Sequence, residues 1–200
     1  MQQIRQVLRR SKPLERVWVR IFREGKARVV ENCFIRDSAL PGIAASDGRR
    51  LELVATGLPL FRGVPLGVDV TLVSPLHADG SVWAGAEQRP GVALERAERN
   101  KERTYPELVD SPVLRLITVA CETGGRWNSA TAALLRDLAY ARSRDAPARL
   151  RHSAASGWQR RWWAMLAVTS QDALAATLVD DGVILLDGHE GTMPCLAEVV

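Results

Sequence analysis

Cysteine is scarce in this chain. Its three residues, Cys33, Cys121 and Cys195, lie far apart with no CxxC or Cys/His grouping, which excludes a disulfide framework and a cysteine-based zinc site. An odd, scattered set of this kind fits a reducing compartment. Histidine is equally rare: His77, His152 and His189 have no carboxylate or cysteine neighbours at useful spacing. GxSxG, GxGxxG and P-loop patterns are missing, so serine hydrolase, dinucleotide-binding and NTPase chemistry have no support. Long apolar runs are missing too. The most apolar late stretch, Trp162–Val179, is broken by Gln171 and Asp172, and residues 1–12 are basic and polar. Neither a membrane span nor a signal peptide is expected, and the chain reads as soluble.

Lysine is the other shortage, with three (Lys12, Lys26, Lys101) against twenty-four arginines. The net charge of +4 conceals an uneven distribution: residues 1–30 carry nine Lys/Arg against two acids, residues 126–163 carry eight Arg against two Asp, and residues 164–200 carry no Lys or Arg. Two basic blocks flanking a mildly acidic centre suit a polyanion gripped by its backbone. Arginine-rich helix faces that merely stay solvated give the same pattern.

Two hundred residues, 46% hydrophobic and 25% charged, suffice for one globular domain with flanking segments. The apolar residues at i, i+4 spacing in LERVWVRIFRE (14–24) predict an amphipathic helix stopped by Gly25. Residues 27–36 are ambiguous between helix and strand, and the stretch from Asp37 to Arg49 reads as a loop. Leu51–Thr56 and Leu66–Val73 predict an antiparallel hairpin around GLPLFRGVP. A long loop over Ser74–Pro90 then leads to a helix over Gly91–Tyr105, ending before Pro106. Val113–Cys121 predicts a buried third strand. A helix over 127–142, with Asn128 or Ser129 as N-cap, and a long helix from Ala148 to Val179 complete the chain. The expected fold is α/β, a small mixed sheet flanked by helices with a long C-terminal helix. It divides into a basic amphipathic helix and loop (1–50), an α/β core (51–146), a C-terminal helix (147–180) and an acidic tail (181–200).

A hairpin symmetric about a centre between Leu60 and Phe61 pairs Glu52 with Asp69. Facing carboxylates repel, and Cβ atoms roughly 4.5–5.5 Å apart call for a cation; a hard divalent ion takes one or two carboxylates plus waters and phosphate oxygens. A one-residue register slip would instead leave the two acids on different faces as rim residues. Lys101 shares a helix face with Tyr105. In so arginine-rich a chain it suits a site needing a compact ammonium, or it is an ordinary exposed helix residue. Glu122 ends the third strand before Thr123-Gly124-Gly125, where site residues are common, and a solvated strand terminus is the plainer alternative. Trp158, Trp162, Trp163 and Leu166 recur at helical spacing beside Arg160 and Arg161, as a core stripe or as a base-stacking surface.

In order, RRLELVATGLPLFRGVPLGVDVTLVSPL (49–76), ERNKERTYPEL (98–108) and LITVACETGGRW (116–127) resemble the endonuclease-like region downstream of the reverse transcriptase in non-LTR retrotransposon proteins, a branch of the restriction-endonuclease-like PD-(D/E)xK superfamily. The resemblance spans residues 14–180. Glu52, sixteen intervening residues and Asp69-Val70-Thr71 fit that family's frame, with two departures. Glu52 stands where the family has Asp after Pro, and Thr71 stands where the simplest motif has Lys. In the retroelement branch the lysine sits on the following helix as Lys-x-x-x-Tyr, which Lys101 and Tyr105 match. The resemblance implies a restriction-endonuclease-like core that hydrolyses DNA phosphodiesters, with Mg²⁺ or Mn²⁺ held by Glu52 and Asp69. It further implies Lys101 orienting the water, Glu122 as an outer acid, Glu15 or Glu24 as an accessory acid, and Arg126, Arg160 and Arg161 on the nucleic-acid backbone. DNA is the implied partner and RNA the second candidate, in an intracellular, nuclear setting without membrane. With no YxDD polymerase signature, the chain would be a detached or partial copy within a larger polyprotein. The alternative is a catalytically inactive relic that only binds nucleic acid, or an interaction domain.

Overall fold

The apolar i, i+4 ladder over residues 14–22 builds the first helix, α1 (Gln2–Glu24), which continues N-terminally through Pro13. Gly25 follows α1, but the residue that turns the chain is Lys26, at φ 73°. Its N–H donates to the Arg23 carbonyl and that of Ala27 to the Phe22 carbonyl, the paired bonds of a Schellman cap. The computed structural model describes residues 2–186 apart from 39 and 78, with side chains over residues 11–176. His189, Cys195 and most of the acidic tail lie outside that range.

Four strands follow from the alternating segments: β1 (Arg28–Phe34), β2 (Arg50–Thr56), β3 (Leu66–Val73) and β4 (Arg115–Glu122). They form one sheet in the order β1-β2-β3-β4. The first two pairings are antiparallel and β3–β4 is parallel, because α2 (Val92–Thr104) intervenes as a crossover. β1 resolves the ambiguity at 27–36, and the buried strand expected at 113–121 is therefore fourth rather than third. The 127–142 prediction corresponds to α3 (Ser129–Ser143), capped by Asn128, whose side chain accepts from the Thr131 N–H. The last helix, α4 (Arg151–Leu186), outruns its expected end at Val179. The fold is thus the mixed α/β arrangement anticipated, helices flanking a small mixed sheet. No described helix is long and apolar enough to cross a membrane.

The main core lies on one face of the sheet, where Leu53, Leu66, Val68 and Val119 meet Trp18 and Phe22 of α1, Leu135 of α3, and Trp162 and Leu166 of α4. The tryptophan stripe is therefore packing. Trp162 is fully buried, with its ring 5.4 Å from that of Trp158. A second cluster, Ile35, Leu51, Tyr105, Leu108 and Leu114, gathers where the chain leaves α2.

Glu24 joins α1 to α4. Its carboxylate accepts from Arg161 through two nitrogens, at 2.7 and 3.0 Å, and from the Trp162 indole at 2.9 Å. Hydrogen bonding from Arg161, helped by Trp162 and Arg20, outweighs burial and pulls the Glu24 pKa from the usual 4.5 down to about 2. A carboxyl depressed in the fold stabilises it above the unfolded pKa and loses that contribution as pH falls through the folded one. Glu24→Gln should therefore flatten the acid-side decline in stability between about pH 4.5 and 2, lowering stability at pH 7 by on the order of 1 kcal/mol after solvent screening. Urea unfolding of both proteins at several pH values measures this.

Candidate functional site

The hairpin register answers the first question about Glu52 and Asp69. β2 and β3 pair Leu53 with Val68, Val54 with Gly67 and Ala55 with Leu66, the symmetry expected about the turn. The ladder ends at Leu53–Val68, one step short of the expected Glu52–Asp69 pair. At that step the pairing of β2 with β1 is also interrupted: it runs through Glu31–Leu53 and resumes at Cys33–Leu51, skipping Glu52 beside Asn32, whose φ is 57°. Strict alternation would put Leu51 and Leu53 on one face, yet they pack into different clusters. The Glu52 carboxylate reaches β3, where it accepts the Val70 N–H at 3.3 Å.

Asp69 is fully buried and fully engaged. Lys101, reaching from α2, places its Nζ 2.7 Å from Oδ1 and 2.8 Å from Oδ2. The Thr71 hydroxyl donates to Oδ1 at 3.0 Å. Tyr105, one turn after Lys101, donates its hydroxyl to the Arg50 carbonyl at 2.9 Å, so the shared Lys/Tyr face ties α2 to β3 through one residue and to β2 through the other. Burial raises the Tyr105 pKa, with the charges of Asp69 and Glu52 adding to it. Glu15 of α1 is also buried; it accepts from Lys12 at 2.6 Å and Ser11 at 2.9 Å, and its charge reaches Glu52.

Burial, then the Asp69 charge, raises the Glu52 pKa from the usual 4.5 to about 7, with Lys101 opposing. Three carboxyl groups thus share two lysines, and the surplus negative charge is expressed at Glu52, whose proton is held more tightly. Among the described residues no group of three or more His, Cys, Asp or Glu side chains converges as a metal cluster. A hard ion that takes one or two carboxylates and fills its remaining positions with water and phosphate oxygens would use Glu52 and the Asp69 oxygens that Lys101 and Thr71 hold here.

Because an acid whose folded pKa is raised binds its proton more tightly when folded, stability without added metal should fall as pH rises from about 4.5 to 7. Saturating Mg²⁺ should reverse that fall, since an ion that binds the folded state stabilises it. Thermal melts across this range, with and without Mg²⁺, give the reading. A curve unaffected by Mg²⁺ would contradict it.

Other expected site residues are not brought here. Glu122 lies opposite Val73, four residues along from Thr118, the partner of Asp69; at ~3.3 Å per residue that is roughly 13 Å away. It pairs with Arg126 at 3.2 Å, so neither is brought to the Glu52–Asp69 pair. Arg161 is spent on Glu24, which also removes Glu24 as an accessory acid and leaves Glu15 as the one near the pair. Arg160 remains exposed, with no ion pair among the described residues.

Two contributors went unrecognised in the sequence. Thr71, noted only for what it replaces, anchors Asp69; its place two residues on, hence on the same strand face, was the signal. Asn128, read only as a helix cap, also donates to the Thr118 carbonyl at 2.9 Å, fastening β4 beside Asp69. No protein-family model matches the chain, and no curated protein matches it in sequence.

Proposed function

We propose that the chain is a metal-dependent endonuclease domain of restriction-endonuclease-like type, of the kind found in retroelement proteins, hydrolysing phosphodiester bonds in DNA with RNA as a second candidate substrate. One observation carries the reading: the single lysine that the Lys-x-x-x-Tyr pattern singled out, thirty-two residues from Asp69, has its ammonium on both oxygens of that acid, with Glu52 alongside. Glu52 and Asp69 would hold Mg²⁺ or Mn²⁺. An ion held there would supply the chemistry of a water of lowered pKa and a polarised phosphate. Lys101 fixes the orientation of the Asp69 carboxylate and carries the positive charge that offsets charge developing on the phosphate. Glu52, titrating at about 7, is ionised by small changes near neutrality, so metal binding and activity rise together with pH. Exposed arginines such as Arg160 contact the nucleic-acid backbone without reading sequence.

Incubation of the purified chain with supercoiled plasmid tests this. Nicking with Mg²⁺ or Mn²⁺ and none with EDTA is expected. The competing reading, an inactive relic that only binds nucleic acid, is favoured by Thr71 occupying the strand-lysine position; it gives salt-sensitive DNA retention and intact plasmid under every divalent metal.

A further inference from the structure

β4 is an edge strand, and only half of its outer edge is covered. In a parallel pair, alternate residues direct both backbone groups to the neighbour. The Arg115 N–H donates to the Pro65 carbonyl, so residues 116, 118, 120 and 122 face outward. The upper half is occupied: Asn128 takes the Thr118 carbonyl and both Ala120 groups, and the Arg126 carbonyl takes the Glu122 N–H, forming a short antiparallel bridge at Cys121–Trp127. Below it the Leu116 N–H and C=O and the Thr118 N–H have no backbone partner among the described residues. They open into a cavity of about 350 Å³ walled by α2 and α3.

Residues 115–118 all line that cavity together with Glu98, Glu102 and Asp137. The Arg115 guanidinium is held by Asp110 at 2.9 Å and Asp137 is paired with Arg136 at 3.1 Å, so Glu98 and Glu102 are the acids left in excess. Thr118 is 4% exposed, and its hydroxyl has no hydrogen-bond partner among the described residues. Burial, then the charge of Glu102, holds the Glu98 carboxyl above its usual range. Unpaired strand edges accept added strands, and the acidic walls select the sign of the side chains that accompany one.

We propose that the open edge of β4 at residues 116–118 receives an extended, arginine- or lysine-bearing segment of a protein partner, which adds a strand to the sheet between α2 and α3. The segment continues the line begun by residues 126–128. Alternate basic side chains reach Glu98 and Glu102 on one wall and Asp137 on the other. The assignment is independent of the nuclease reading, since it uses none of Glu52, Asp69 or Lys101.

Fluorescence anisotropy of a short labelled peptide alternating Arg and Thr, titrated with the full chain, tests it. Binding at ~10–100 µM is expected. Glu98→Gln combined with Glu102→Gln should weaken it about fivefold to tenfold. The same peptide N-methylated on alternate residues, tested on the unaltered chain, should lose at least about tenfold through its missing donors. Absence of binding at about 1 mM, equal binding of the N-methylated peptide, or equally effective displacement by spermine would overturn the proposal.

Discussion

Asp69→Asn should lower metal-dependent nicking by about a thousandfold or more while leaving DNA retention in low salt intact. Asparagine keeps the shape of the side chain and its hydrogen bond from Thr71, so β3 is expected to hold its place. What disappears is one of the two carboxylate charges available to a divalent ion, and with it the charge to which Lys101 is anchored. A loss of that size corresponds to ~4 kcal/mol of transition-state stabilisation, in keeping with removal of an ion that both polarises the phosphate and acidifies water. DNA retention depends on the arginines and should keep its salt dependence. Plasmid nicking by purified variant and parent, with retention measured in parallel, gives the comparison; undiminished nicking would remove Asp69 from the chemistry.

The second large effect is on stability. Lys101→Met should destabilise the fold by about 3 kcal/mol, since it leaves a fully buried carboxylate without its counter-charge. In a chain of this size that is roughly 6–12 °C in Tm. The destabilisation should be conditional on Asp69: with Asp69→Asn already present, Lys101→Met should cost less than half as much, because no buried charge is then orphaned. A thermal or urea double-mutant cycle separates the cases, and additive losses would mean that the ion pair is not the source of the effect. Glu52 is ionised less readily once Lys101 is gone, so the same variant should also shift metal binding to higher pH.

The sequence was most legible where geometry repeats. Symmetry of the β2–β3 hairpin about Leu60 and Phe61 gave the register of Leu53–Ala55 against Leu66–Val68, because side-chain period and turn length together determine register. α2 was legible from its helical pattern and the proline behind it, and its face gave Lys101 and Tyr105 together. β1 was not, because an edge strand with most of its side chains exposed lacks the apolar alternation that marks a half-buried strand. Nor could alternation foresee the break in β1–β2 pairing at Glu52, opposite the left-handed Asn32. The distance of Glu122 from Asp69 was not legible, because it depends on the parallel β3–β4 register, a tertiary fact. Arg161 illustrates the same limit, since its charge was visible in the composition whereas its partner, Glu24, lies 137 residues away. The resemblance to retroelement endonucleases offered Glu15 and Glu24 equally, and only packing separates them: one lies beside Glu52, the other fastens α1 to α4.

The account turns on Glu52 and Asp69 sharing a divalent ion, and calorimetric titration of the intact chain with Mn²⁺ in buffers of different ionisation enthalpy measures this without any need for turnover. A group titrating at about 7 is about half protonated at neutral pH, so ion binding should release about half a proton there. That release should vanish in Glu52→Gln and diminish as pH is raised. Absence of Mn²⁺ binding, or binding with the same proton release in Glu52→Gln, would contradict it.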